Sequence, residues 1–198
     1  MACLHLFWYL KGSQDYCLTY HAFNNHSIVA YRNAYWGNCT DIRRLVSGYL
    51  ISFKRFLVFR KARKKPTVSL PTSKVEYKSL CDVTSKLLWL WEWFKECSLS
   101  DMDSPTPVNE DDQGFTNMAN GNININGSHM KHVDIQLHFV KESIKNLDIE
   151  LKYTLISDML AEFLTKSACR SSLCKALNAL GFLGIQVRGD VRIGRSTD

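Results

Sequence analysis

The chain has 198 residues and a formal net charge of +6, from 25 Lys+Arg against 19 Asp+Glu. Hydrophobic residues at 45% and aromatics at 12% can build a packed core and exclude a wholly disordered chain. No stretch approaches the roughly 20 apolar residues of a membrane-spanning helix, and the opening Leu4–Leu10 run lacks the basic leader and small-residue cleavage site of a signal peptide.

The elements follow in chain order. Residues 5–10 read as the tail of a helix stopped at Lys11-Gly12-Ser13. Ser27–Trp36 mixes β-branched and aromatic residues and predicts a strand, and Val46–Val58 predicts two more joined by a turn near Lys54-Arg55, although no glycine marks that turn. Pro66 and Pro71 keep the segment between them extended. From Val75-Glu76 a long helix runs to about Cys97, with Val83, Leu87, Leu88, Leu90, Trp91 and Phe94 at helical spacing. That spacing puts Trp91 in the core and leaves Trp89 and Trp93 partly exposed. A loop through Pro105 leads to a short strand that delivers Asp111 and Asp112. The five asparagines and two glycines of Asn117–Ser128 read as a helix end opening into a loop. His132–Lys145 is an amphipathic helix and Glu150–Ile156 a strand. Asp158–Leu180 is helical with an interruption near Ser171, and Gly181–Asp198 is a loose tail. Three consecutive strands favour an antiparallel meander. The expected class is α/β (mixed α+β), with a five-stranded mixed sheet, three strands of it antiparallel, and helices on both faces.

Charge and cysteine add two constraints. Lys54, Arg55, Arg60, Lys61, Arg63, Lys64 and Lys65 form a basic stretch without an acid, and Glu92–Asp112 holds seven acids against Lys95 alone. A basic stripe beside an acidic cluster suits a protein that grips phosphates and coordinates metal, and equally suits two separate solvated surfaces. Seven cysteines without a CxxC pair point to reduced thiols and an intracellular setting, cytoplasmic or nuclear.

Several short motifs then follow one another at fixed distances: Tyr9-Leu10-Lys11-Gly12-Ser13, Tyr31-Arg32-Asn33-Ala34-Tyr35-Trp36, Arg43-Arg44-Leu45-Val46-Ser47-Gly48-Tyr49, Lys64-Lys65-Pro66-Thr67-Val68-Ser69, Val75-Glu76-Tyr77, Asp111-Asp112-Gln113-Gly114, Lys131-His132-Val133-Asp134-Ile135 with His138-Phe139, and Asp158-Met159-Leu160-Ala161-Glu162 ending in Phe163-Leu164-Thr165-Lys166. The series resembles the ribonuclease H domain of copia-type retrotransposon polyproteins, whose motifs read roughly YLKGT, YSDADW, RRSTSGY, KKQPTVS, AEY, DNQGA, KHIDI-x-x-HF, DQLAD and FTK. Each motif alone is weak; their order is what carries the resemblance, over about residues 5 to 180. It implies a ribonuclease H-like domain over 27–180, preceded at 1–26 by a remnant of the reverse-transcriptase connection and followed by a flexible tail at 181–198. The opening segment resembles the end of a polymerase, so the chain reads as a fragment.

The resemblance also implies a chemistry: cleavage of the RNA strand of an RNA–DNA hybrid. Such hydrolysis needs an activated water and a stabilised leaving oxygen, which two Mg²⁺ (or Mn²⁺) ions about 3.5–4 Å apart supply, held by hard carboxylate oxygens. Of the four acids the family uses, three positions keep theirs here: Glu76, Asp111 and Asp158, the implied metal ligands. The fourth falls on Asn33, and the second Asp of that motif on Tyr35. An amide contributes a dipole but no charge, so a loss on the order of a thousandfold or more in rate is expected. Asp112 is a candidate stand-in, set on the opposite face from Asp111 if the strand continues. Lys65 replaces the motif's Gln, and Gly127 and His129 replace a His and an Arg before the KHID-like segment.

Plainer readings stand beside these. Glu76 suits a helix start by its charge alone, Asp158 beside Ser157 suits a cap, and the basic run suits an exposed hairpin. As part of this fold the same run contacts phosphates, since Lys and Arg neutralise a backbone without reading sequence. Two functions remain: a monomeric hybrid nuclease impaired at Asn33, or a non-catalytic nucleic-acid-binding or interaction protein derived from a transposon.

Overall fold

The computed structural model describes residues 2–18, 20, 27–36, 45–64, 72–98, 104–121, 131–166 and 168–184. After helix α1 (Ala2–Ser13) and the short strand β1 (Tyr16–Leu18), the chain builds β2 (Ile28–Trp36), β3 (Leu45–Phe53) and β4 (Phe56–Lys64), the expected meander. Helix α2 (Thr72–Glu96) leads to β5 (Thr106–Glu110), α3 (Gln113–Asn120), α4 (Lys131–Lys145) and β6 (Ile149–Tyr153). The main sheet has the order β4-β3-β2-β5-β6, antiparallel through β4, β3 and β2 and parallel from β2 to β5 to β6. The class read from the sequence, a five-stranded mixed sheet, is the one observed.

Two cores lie on opposite sides of that sheet. On one, Ala30, Tyr49 and Ile51 meet Leu80, Val83, Leu87, Trp91 and Phe94 of α2, with Phe115 of α3 and Val140 of α4. Trp91 is buried there and donates its Nε1–H to Thr106 Oγ1 at 3.0 Å, whereas Trp89 and Trp93 are exposed. This is what the helical spacing of the apolar residues demands. On the other side Leu50 and Leu57 pack against Met159, Ala161 and Leu180.

Between β6 and the C-terminal end the structure departs from expectation. In place of one interrupted helix there are two 3-10 turns, Ile156–Asp158 and Glu162–Leu164, then helix α5 (Arg170–Ala179). The buried residues Met159 and Ala161 are two apart, a spacing that one face of an α-helix does not offer. A second departure is β7 (Phe182–Gly184), within the segment read as tail, which pairs antiparallel with β1. Residues 185–198 lie outside the described residues, as do Lys65, the Pro66–Pro71 segment, Gly127 and His129.

Candidate functional site

The parallel pairing of β2 with β5 ends at Arg32 and Glu110. Just beyond it the chains diverge, as at the carboxyl ends of parallel strands generally. There an open cleft of about 490 Å³ is lined by Asn33, Ala34, Glu76, Asp111, Asp112, Gln113, Gly114, Tyr153 and Lys166. Three of the four positions singled out in the sequence, Asn33, Glu76 and Asp111, thus meet in one cleft. Asn33 comes from within β2, one residue past the end of its pairing with β5, Asp111 from the residue after β5, and Glu76 from the first turns of α2. Thr154 fixes the β5–β6 end, its N–H donating to Glu110 O and its hydroxyl to Asn109 Oδ1, both at 2.8 Å.

Asp158 does not line the cleft. It is exposed on the first 3-10 turn, close enough to Tyr31 to help raise that phenol's pKa, an effect led by burial and opposed by Arg55. Its neighbour Glu162 is the acid coupled to the cleft, through a 3.4 Å ion pair with Lys166. Its signal in the sequence is its place as the last acid of Asp158–Glu162, directly before the FTK-like segment. Asp112 is committed elsewhere: its Oδ1 accepts from Phe115 N–H at 2.9 Å and caps α3.

Sequence reasoning missed the residue that dominates the site. Arg32 is fully buried, and its Nη1 donates to Glu76 Oε2 at 2.6 Å and to the Glu76 carbonyl at 3.1 Å. Its Nη2 forms an ion pair with Glu110. The Phe115 ring covers the guanidinium at 4.8 Å, a cation–π contact. The available signal was a charged residue in the middle of an otherwise uncharged strand, at the position where the YSDADW motif has serine.

The electrostatics follow from burial. Burial alone would lower the Arg32 pKa, but Glu110 and Glu76 raise it above its ordinary value. Burial raises Glu76 against the pull of Arg32, with Asp112 and Asp111 adding to the rise. Burial likewise pushes Glu110 up to about 8, opposed by Arg32 and reinforced by Glu76 and Asp111. One guanidinium in a dry site cannot neutralise two carboxylates at once.

Asn33, 1% exposed, lies on the other face of β2, opposite Gly48 in the β2–β3 ladder. Neither end of its amide meets a protein partner among the described residues. Gly48 admits the segment above it: a Cβ there would stand 2.6 Å from Leu164 Cβ, so only glycine allows this approach.

The donor set does not fit a pair of divalent ions. Asn33 is neutral, Glu76 is engaged by Arg32, Asp112 is a cap and Asp158 lies away from the cleft. Among the described residues no three acidic, His or Cys side chains are grouped so as to hold a metal ion.

The basic run divides. Lys54 and Arg55 form the β3–β4 turn, while the strand's alternation sends Lys61 and Arg63 to the α2 side and Arg60 and Lys64 to the other. Arg55, Arg60, Arg63 and Lys64 are exposed; Lys61 is 3.8 Å from Asp82.

No family model matches the chain. The retrovirus-related Pol polyprotein from transposon RE2 of Arabidopsis thaliana is 23% identical over 177 residues, 89% of this chain and 12% of that polyprotein. The Pol polyprotein from transposon TNT 1-94 of Nicotiana tabacum is 23% identical over 171 residues, 85% of this chain. The chain therefore spans 12% of the length of these curated relatives. Among solved structures it is similar to LC11-RNase H1, isolated from compost by a metagenomic approach, with a TM-score of 0.53 at 12% identity over 77% of this chain and 99% of that one. The fold is that of RNase H domains, and the relatives are those the motif order implies. No helix among the described residues is long and apolar enough to cross a membrane.

Proposed function

We propose that this RNase H-like domain, related to transposon Pol polyproteins, holds RNA–DNA hybrid or another nucleic acid and that its hybrid cleavage is absent or strongly impaired. Asn33 carries the reading: it supplies a neutral amide in the cleft where Glu76 and Asp111 also meet. A hydrolytic site of this class depends on converging negative charge to hold Mg²⁺ or Mn²⁺, and the missing charge removes its centre. The remaining capacity lies in exposed cations of the β3–β4 hairpin, which suit a phosphate backbone and read no sequence. A related fold is known in complex with an RNA/DNA hybrid, in LC11-RNase H1.

The test is cleavage of an end-labelled RNA–DNA hybrid by the purified chain with Mg²⁺ or Mn²⁺, alongside binding of the same hybrid by fluorescence anisotropy. The expected result is salt-sensitive binding with a cleavage rate at least about a thousandfold below that of an intact enzyme. Cleavage at an ordinary rate overturns the reading. Binding without cleavage favours the non-catalytic form, for which Arg55, Arg60, Arg63 and Lys64 on the hairpin are the supporting observation.

A further inference from the structure

We infer that Arg32 is a built-in cation that takes the Glu76 carboxylate for itself, so that the cleft is closed to divalent metal by a second lesion independent of Asn33. The inference rests on reading this cleft as the altered hydrolytic site, and goes beyond it by naming what occupies the acid that survives.

The geometry makes Arg32 a permanent part of the site. Its guanidinium has no exposure to solvent, one terminal nitrogen is on Glu76 Oε2 at 2.6 Å, and the other is on Glu110. The same nitrogen that holds the Glu76 side chain also holds its backbone carbonyl at 3.1 Å, which ties the cation to the start of α2. Phe115 closes the remaining face at 4.8 Å, its ring edge-on to Tyr77 with centroids 4.9 Å apart, and its own backbone N–H is fixed by the Asp112 cap. Four elements, β2, α2, β5 and α3, therefore meet at one cation.

An arginine cannot step aside by losing its proton. A dication bound through Glu76 would stand within a few ångströms of a fixed positive charge in surroundings of low dielectric, where like-charge repulsion is strong. Glu110 holds the other side of the cation: it sits beside Arg32 at the end of the β2–β5 ladder and pairs with its second terminal nitrogen. Asn33 lies on the opposite face of β2, so an acid restored there leaves the Arg32–Glu76 pair standing. Two changes, at positions 32 and 33, are needed to reopen the site.

The experiment measures Mn²⁺ binding directly, by calorimetry and by the electron paramagnetic resonance of free Mn²⁺, for the unaltered chain, Asn33→Asp, Arg32→Ser/Asn33→Asp, and the last combined with Glu110→Gln. The expected result is no stoichiometric site in the first two and a gain of roughly 10–100-fold in affinity once Arg32 is removed, the range that a change in a ligand's supporting partner produces. Saturable Mn²⁺ binding by Asn33→Asp that Glu76→Gln abolishes overturns the inference. Because removal of Arg32 strains the fold, a second measurement uses the unaltered chain alone. The Arg32 guanidinium N–H signals are followed by nuclear magnetic resonance as Mn²⁺ is added. They should persist unbroadened; selective broadening at substoichiometric Mn²⁺ refutes the inference whether or not the variants fold. Hybrid binding, measured separately without metal, tests the proposed function, so the two fail distinguishably.

Discussion

The two charged regions of this molecule have opposite fates. Where the β2–β5 pairing ends the charges are turned inward: Arg32, Glu76 and Glu110 are all buried and are paired with one another. Along the β3–β4 hairpin the charges are turned outward, with Arg55, Arg60, Arg63 and Lys64 in solvent. A charge satisfied within the protein stabilises or specifies the fold, but has little left for a ligand; a charge in solvent does little for stability and keeps its reach. The first region is thus architecture, and the second is where a partner can be met.

The sharpest way to break that assignment is Arg32→Ala. It leaves two buried carboxylates without their cation, and chemical denaturation should show a loss of about 3–5 kcal/mol. A loss under about 1 kcal/mol, typical of an exposed pair, would mean that the cluster is solvated and the inward region is no different from the hairpin. Next in size is Gly48→Ala. The new Cβ would stand 2.6 Å from Leu164 Cβ and 3.3 Å from Thr165 Cγ2, so the segment carrying Lys166 into the cleft must move. Overpacking of this kind costs about 1–3 kcal/mol, and an unchanged denaturation midpoint would place that segment farther from the sheet.

The contrast between the regions also explains what was legible in the sequence. The three-strand meander and the α2 core follow from strand and helix periodicity, which are local signals, and the grouping of Asn33, Glu76 and Asp111 follows from the motif order and the family resemblance it carries. Arg32 was not legible as a cation in the site, because its role depends on Glu110, nearly eighty residues away by chain, and on Phe115 arriving from α3. Asp158 looked equivalent to Glu76 by type and spacing, yet the segment from Ile156 to Leu164 forms two 3-10 turns that leave it outside the cleft. The basic run looked like one stripe because a sequence has no faces; the strand's period of two divides it.

That division yields the third prediction. Arg60 and Lys64 share a face with Gly48 and Asn33, while Lys61 lies near Asp82 and over the Tyr49 ring on the α2 side. If the hairpin meets nucleic acid from the Asn33 side, Arg60→Ala/Lys64→Ala should lower the slope of log affinity against log salt by about 1–2, near 0.9 for each phosphate no longer neutralised. Lys61→Ala/Arg63→Ala should change it less. Equal effects from both pairs would show that the strand is gripped edge-on rather than from one face.

The smallest expected effect sets the two properties of the hairpin against each other. Lys54 and Arg55 form its two-residue turn with φ of 52° and 71°, the left-handed values that a tight hairpin demands and that Asn-Gly meets at least cost. Non-glycine residues there lose about 1–2 kcal/mol each relative to ordinary backbone, although the Lys54 ammonium over the Phe53 ring at 5.3 Å returns part of it. Lys54→Asn/Arg55→Gly relieves that strain, less the roughly 0.5–1 kcal/mol that glycine's freedom in the unfolded chain costs, and should therefore stabilise the domain by about 1 kcal/mol, read as a higher denaturation midpoint, while weakening hybrid binding by removing two cations from the tip. Both shifts together mean that the turn keeps strained basic residues where they face a partner, the pattern expected when local strain is retained at a functional position. A gain in stability with hybrid affinity and salt slope unchanged would take Lys54 and Arg55 out of the binding surface and confine it to the strand behind them.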